Sequence, residues 1–242
     1  MTLRVGTSGW AYAEWKPAFY PADLPAKRFL EHYGRVLTAC EINATFYRRQ
    51  PPATFAKWAA SVPRSFRFAV KAHGAITYGK ELAPDRARRI FDDFRKGVAA
   101  LGASRGPILY QLHPERKRDD EQLARLLARA GAEPFAVELR DESWRAAEIE
   151  ARVAEAGGTV CFTDDDARAP LSLPPGPIAY VRLRSERYTR KSREAWRELL
   201  EREARARDVY VFARHEGVKA GDPFTGVGLA QWLVEKTRVA GR

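Results

Sequence analysis

The chain predicts an α/β fold, a single (β/α)8 barrel with the sixth helix reduced to a Pro-rich loop. Three observations carry this reading. The length is 242 residues, close to the ~250 of such barrels. Strand-like and helix-like segments alternate, the pattern of a parallel sheet. Polar residues collect at one parity at the ends of the strand-like segments, where barrels build their sites.

The elements follow in order. Leu3–Thr7 reads as a first strand. Ala26–Val36 places Phe29, Leu30 and Tyr33 at helical spacing. Thr38–Phe46 is strand-like, and Pro52–Val62 is a helix with proline in its first turn. Phe66–Ala72 alternates as a third strand. Asp85–Leu101 is a helix with Ile90, Phe91, Phe94, Val98 and Leu101 on one side and Gly102 at its end. Strand Ile108–Leu112, helix Asp119–Ala130, strand Phe135–Arg140, helix Arg145–Ala156 and strand Thr159–Thr163 continue the alternation. Asp164–Pro177 then holds four prolines and no helical period, so a loop is expected where the sixth helix would stand. Ile178–Leu183, Arg193–Arg207, Asp208–Ala213 and Thr225–Val239 complete eight strands and seven helices. An open doubly wound sheet is the competing architecture. No linker, repeat or low-complexity segment breaks the chain, which reads as one domain over residues 1–242.

Apolar residues make up 45% of the chain, enough for a sizeable core. There is no apolar run of about 18 residues, and the first residues lack the long apolar stretch of a secretory leader. The two cysteines, Cys40 and Cys161, fall inside apolar runs and read as buried thiols. A cytoplasmic, membrane-free setting is therefore expected. The formal net charge of +11 favours an anionic partner such as nucleic acid, a nucleotide or a phosphosugar.

Side chains alternate faces along a strand. Glu41 and Asn43 therefore point one way, as do Lys71 and His73, Gln111 and His113, Glu138 and Arg140, and Tyr180, Arg182 and Arg184. Ser8, Asp164 and Arg214 occupy comparable positions. Charged groups at so many strand ends are expensive to bury unless they pair or hold a ligand. The mutual pairs would be Glu41 with Lys71 and Glu138 with Arg182. The surplus is positive, and arginine's planar fork suits phosphate or carboxylate. For acid–base chemistry, Glu41 or Glu138 would move the proton, and Lys71 or Arg182 would hold developing negative charge. His73, His113 and His215 follow strands, yet no compact ligand motif accompanies them, and no metal is expected. No Gly-rich phosphate cradle and no nucleophile elbow occurs, so no cofactor is expected. Trp10, Tyr12, Trp15, Phe19 and Tyr20 cluster after the first strand, either stacking on a base or sugar or closing a small satellite core.

Gly6-Thr7-Ser8-Gly9-Trp10, then Trp15, then Phe19-Tyr20-Pro21, resembles the opening of the DUF72 (YecE-like) family. So do Glu41-Ile42-Asn43 with Thr45-Phe46-Tyr47, Phe66-Arg67-Phe68 with Val70-Lys71, Gln111-Leu112, Val137-Glu138-Leu139-Arg140 with Ser143-Trp144, and Tyr180-Val181-Arg182-Leu183. The resemblance implies a TIM barrel similar to the endonuclease IV and xylose isomerase group, hence nucleic-acid or sugar chemistry by fold analogy. Arg184 and Arg214 stand where the family pattern has a neutral or weakly basic group. With the motif residues Trp10, Tyr47 and Trp144, the expected ligand-binding set is Ser8, Asn43, Gln111, Arg140, Asp164, Arg182, Arg184 and Arg214. Three functions remain open: binding or processing of nucleic acid or another phosphate-bearing ligand, acid–base catalysis on a sugar-like molecule, and a non-catalytic interaction scaffold.

Overall fold

A computed structural model describes residues 1–131, 133–164, 166–217 and 219–240. The chain runs β1 (Leu3–Thr7), α1 (Phe29–Val36), β2 (Ala39–Ile42), α2 (Ala44–Tyr47), α3 (Pro52–Ala60), β3 (Arg67–Lys71), α4 (Gly74–Thr77), α5 (Arg88–Ala99) and β4 (Arg105–Gln111). It continues through α6 (Asp120–Ala130), β5 (Phe135–Glu138), α7 (Ala147–Glu155), β6 (Gly158–Val160), β7 (Phe162–Asp164), β8 (Ile178–Leu183), α8 (Arg190–Glu203), β9 (Asp208–Ala213) and α9 (Gly226–Ala240). This is an α/β fold with parallel sheets.

One sheet has the order β1-β9-β8-β7 and the other β2-β3-β4-β5-β6. Every pairing is parallel. Only Cys161 separates β6 from β7, so one stretch of chain borders both sheets: β6 pairs with β5 and β7 with β8. On the other side β1 meets β2. There the Thr38 N–H donates to the Val5 carbonyl at 3.0 Å and the Gly9 N–H to the Glu41 carbonyl at 2.9 Å.

Local chemistry accounts for the helices. Asp119 caps α6 by accepting from the Gln122 N–H at 3.0 Å. Thr189 and Ser192 form a reciprocal capping box that starts α8 three residues before the expected Arg193. Phe91, Phe94 and Val98 of α5 are buried, as the helical stripe requires.

One segment departs from expectation. Thr38–Phe46 reads as one strand, but β2 stops at Ile42 and α2 begins at Ala44. The Thr45 hydroxyl donates to the Lys71 carbonyl at 2.7 Å, a tertiary bond that folds this turn against β3. Residues 166–177 form neither helix nor strand. The Arg207 guanidinium fastens them by donating to the Pro174 and Gly176 carbonyls at 2.8 and 3.2 Å.

Two apolar layers result. The larger lies between strands and helices and includes Ile42, Val70, Ile108, Val137, Val181 and Val211. The smaller gathers the opposite faces of the strands: Ala39, Ala69, Leu109, Ala136, Cys161, Ile178, Tyr180, Tyr210 and Phe212. Both cysteines are free and buried. Among the described residues no helix is long and apolar enough to cross a membrane.

Candidate functional site

The smaller apolar layer places the polar groups. Two residues beyond Ala39, Ala69, Leu109, Ala136, Cys161, Tyr180 and Phe212 come Glu41, Lys71, Gln111, Glu138, Thr163, Arg182 and Arg214. Side chains two apart share a face, so the same strands that make an apolar floor raise a polar ring above it. The ring bounds a cavity of about 920 Å³ at the carboxyl ends of the strands.

Arg182 is its hub. Its guanidinium donates to Glu138 Oε2 at 2.7 Å and to Glu41 Oε1 at 2.9 Å. Glu41 also accepts from the Ser8 hydroxyl at 2.6 Å and the Tyr180 hydroxyl at 2.7 Å. Glu138 accepts from Gln111 Nε2 at 2.6 Å and from the Thr163 hydroxyl at 3.2 Å. Tyr78 donates in turn to Gln111 Oε1 at 3.0 Å. Arg184 donates to the Ser8 hydroxyl at 2.6 Å and lies 3.5 Å from Glu41.

Both carboxylates stay ionised. Burial pushes the Glu41 carboxyl up, but Arg182, Arg184, Ser8 and Tyr180 together draw it down to about 2. Burial likewise opposes Arg182 and Gln111 at Glu138, and the net direction is down. Glu41 is fully buried with both oxygens engaged, so it braces the ring from below and has no free atom to offer a ligand.

Lys71 is the exception. Among the described residues, no carboxylate oxygen lies within 4.0 Å of its Nζ, which sits 4.0 Å from the centre of the Phe46 ring. The expected Glu41–Lys71 pair does not form, because Arg182 takes Glu41. Burial and then Arg182 lower the ammonium, against the pull of Glu41 and Glu138, to about 8.

The ring carries a charge surplus. Glu41 and Glu138 are opposed by Lys71, Arg182 and Arg184, leaving one positive charge. Higher in the wall, Arg140, Arg145 and Arg214 outnumber Glu150 and Glu216 by one more. Arg184 Nη1 and Asn43 Oδ1 are buried polar atoms with no hydrogen-bond partner among the described residues, and both residues line the cavity.

Of the expected site residues, Asn43, Tyr47, Lys71, Gln111, Glu138, Arg140, Arg182, Arg184 and Arg214 line the cavity. Ser8 and Glu41 lie beneath it, bonded to Arg184 and Arg182. Three residues lie elsewhere. Trp10 packs edge-on against Trp58 and Phe68, with ring centres 5.5 and 6.2 Å apart. Trp144 is buried, its indole N–H donating to the Arg116 carbonyl at 2.7 Å. Asp164 has the wrong parity: it accepts from the Ala167 N–H at 2.8 Å and from the Tyr188 hydroxyl, while Thr163 takes the inward position. Thr163 and Tyr180 were legible from the same two-residue alternation. Tyr78, on a loop after α4, carries no such signal. In the aromatic loop, Trp15, Phe19 and Tyr20 are buried, and Tyr12 reaches the cavity, stacked on His215 at 4.7 Å. His73 and His113 bond their own loops, accepting from the Ala75 and Glu115 N–H groups. Among the described residues no group of three or more His, Cys, Asp or Glu is placed to hold a metal ion.

The model of the DUF72 family, described as "Protein of unknown function DUF72", matches residues 4–239. The chain belongs to this family. The UPF0759 protein YunF of Bacillus subtilis (strain 168) is 28% identical over 149 residues, which are 59% of this chain and 52% of YunF. The chain thus spans about half the length of that curated relative. A crystal structure of a DUF72 family protein from Thermotoga maritima covers 99% of this chain and 100% of its own, with TM-score 0.76 and 22% identity. One from Enterococcus faecalis covers 97% and 94%, with TM-score 0.75 and 17% identity. At these identities the two DUF72 structures speak for the fold.

Proposed function

We propose that the cavity binds a phosphate-bearing small molecule of nucleotide or sugar-phosphate size. The observation that carries this reading is a wall with surplus positive charge, in which the Lys71 ammonium has no carboxylate partner among the described residues and Arg184 keeps a buried N–H free. A charge left unpaired in a buried position is costly unless a ligand completes it. Phosphate supplies the double charge and several acceptor oxygens that an ammonium and a guanidinium fork can share. A volume of about 920 Å³ suits one nucleotide or sugar phosphate and is too small for a duplex. Glu41 and Glu138 serve here as fixed counter-charges that orient Arg182, and neither shuttles protons.

The architecture that frames this site is a closed eight-stranded barrel in which residues 158–164 act as one sixth strand and residues 166–177 replace the sixth helix. Support comes from the parallel pairing on both sides of Cys161 and from the backbone bonds between β1 and β2.

Calorimetric titration with inorganic phosphate and ribose 5-phosphate tests the reading. Both should bind, and ribose should not. Lys71→Met should weaken both by roughly 10- to 100-fold, the worth of one charge-assisted hydrogen bond at about 1.5–3 kcal/mol. Absence of phosphate binding at low salt overturns the proposal.

A further inference from the structure

Among the groups lining the cavity, the Lys71 amine is a nucleophile in an unusual setting. It stands at the carboxyl end of β3 on the inward face. Only 7% of the residue is exposed, yet it lines the cavity. Among the described residues nothing acidic lies within 4.0 Å of Nζ, and its near neighbour is the face of Phe46. The thick of the cationic charge, Arg182 and Arg184, is tied to Glu41, Glu138 and Ser8. Among the described residues the amine has no carboxylate within 4.0 Å.

We propose that Lys71 forms an imine with an aldehyde or ketone carbon of the ligand, so that this site takes carbonyl compounds bearing a phosphate. The inference rests on the phosphate-binding reading for its substrate class. The lysine is poised for attack because burial and Arg182 bring its titration down to about 8, leaving an appreciable share of free amine near neutral pH. The Nζ lone pair attacks the carbonyl carbon, and the carbonyl oxygen gains a proton while the nitrogen gives one up, relayed through water. The resulting carbinolamine loses its hydroxyl together with the second nitrogen proton as water, and the nitrogen lone pair forms the carbon–nitrogen double bond. One amine and one carbonyl thus yield one imine and one water, with no change of oxidation state. The phosphate would be held by Arg184 and Arg214 on the neighbouring strand ends. The Phe46 ring lies against one side of the amine, 4.0 Å from Nζ to its centre.

The test is reductive trapping with sodium cyanoborohydride, using glycolaldehyde phosphate and glycolaldehyde as probes, followed by peptide mapping by mass spectrometry. Cyanoborohydride delivers hydride to the imine carbon and fixes the adduct as a secondary amine. The expected result is one adduct on Lys71, formed in preference to exposed lysines such as Lys27 and Lys57, faster with the phosphorylated probe and suppressed by inorganic phosphate. Lys71→Arg keeps the cation and loses the amine. It should keep a folded far-ultraviolet spectrum while losing the adduct at that position. If phosphate binds and Lys71 stays unlabelled, the imine is refuted and the phosphate reading survives. If both probes label Lys71 alike and phosphate offers no protection, the imine stands and the phosphate class is refuted.

Discussion

Glu41 and Lys71 sit on adjacent strands, both nearly free of solvent. Arg182 favours the charged form of Glu41, whereas at Lys71 burial first and Arg182 second disfavour it. For Glu41, whose pKa falls from the ordinary 4.5 to about 2, the ionised form is favoured in the fold. Its contribution is complete above pH 4.5 and is lost as pH falls toward 2. Glu41→Gln should therefore destabilise by roughly 3–5 kcal/mol at pH 7, since Arg182 keeps only Glu138 as a charged partner. The difference from the parent, measured by urea unfolding, should shrink at pH 3. For Lys71 the fold disfavours the charged form, from the ordinary 10.5 to about 8. Arg182 and Arg140 add to that penalty, and Glu41 and Glu138 oppose it. Between pH 8 and 10.5 the unfolded chain holds a proton that the folded chain has released, so stability attributable to this group rises with pH in that window. Lys71→Met should be more stable than the parent by about 1–3 kcal/mol at pH 7, with the gap closing by pH 10. A constant gap across that range refutes the assignment. A variant that gains stability while losing phosphate affinity is the signature of a cation kept for binding.

The contact between β1 and β2 depends on an absence. A Cβ on Gly6 would stand 1.8 Å from the Ala39 carbonyl oxygen and 2.9 Å from the Tyr33 hydroxyl. Only glycine allows this approach. Tyr33, fully buried on α1, ties the two strands: its hydroxyl accepts from the Thr7 N–H at 2.8 Å and donates to the Ala39 carbonyl at 3.0 Å. Gly6→Ala should cost at least about 3 kcal/mol by forcing backbone apart. Tyr33→Phe should cost about 1–3 kcal/mol, because the Thr7 N–H is left buried and unpaired. Thermal unfolding ranks them, and equal stabilities for parent and Gly6→Ala contradict the seam. Because Ser8 and Glu41 flank this same seam and carry Arg184 and Arg182, opening it should loosen the site as well.

The net charge of +11 and the cavity's surplus point to the same partner class. Binding of phosphate to the folded chain alone would stabilise by about 2.7 kcal/mol at a hundredfold excess over Kd. For a chain of this size that raises Tm by roughly 5–10 °C. Sodium chloride at matched ionic strength should give no such rise, and added salt should weaken the phosphate effect. Equal shifts with the two salts argue for general screening of the +11 charge and against a specific site.

The sequence alone specified the parallel alternation, the helix-free stretch before Ile178, and the inward run that brings Lys71, Gln111, Glu138, Arg182 and Arg214 to one cavity. These are local matters: a strand turns every second side chain the same way whatever surrounds it. Folding in three dimensions chose the partners. Arg182 reaches Glu41 across 141 residues of chain and so leaves Lys71 without a carboxylate partner among the described residues, a result that no spacing encodes. The same holds for Trp144, whose indole is claimed by the Arg116 carbonyl, and for the end of β2, halted by a hydroxyl bond to β3. Asp164 lies between: its outward parity relative to Cys161 was readable, but its engagement by Tyr188 was not. Direction along a strand follows from the backbone. Depth and pairing follow from which distant segments are packed against it.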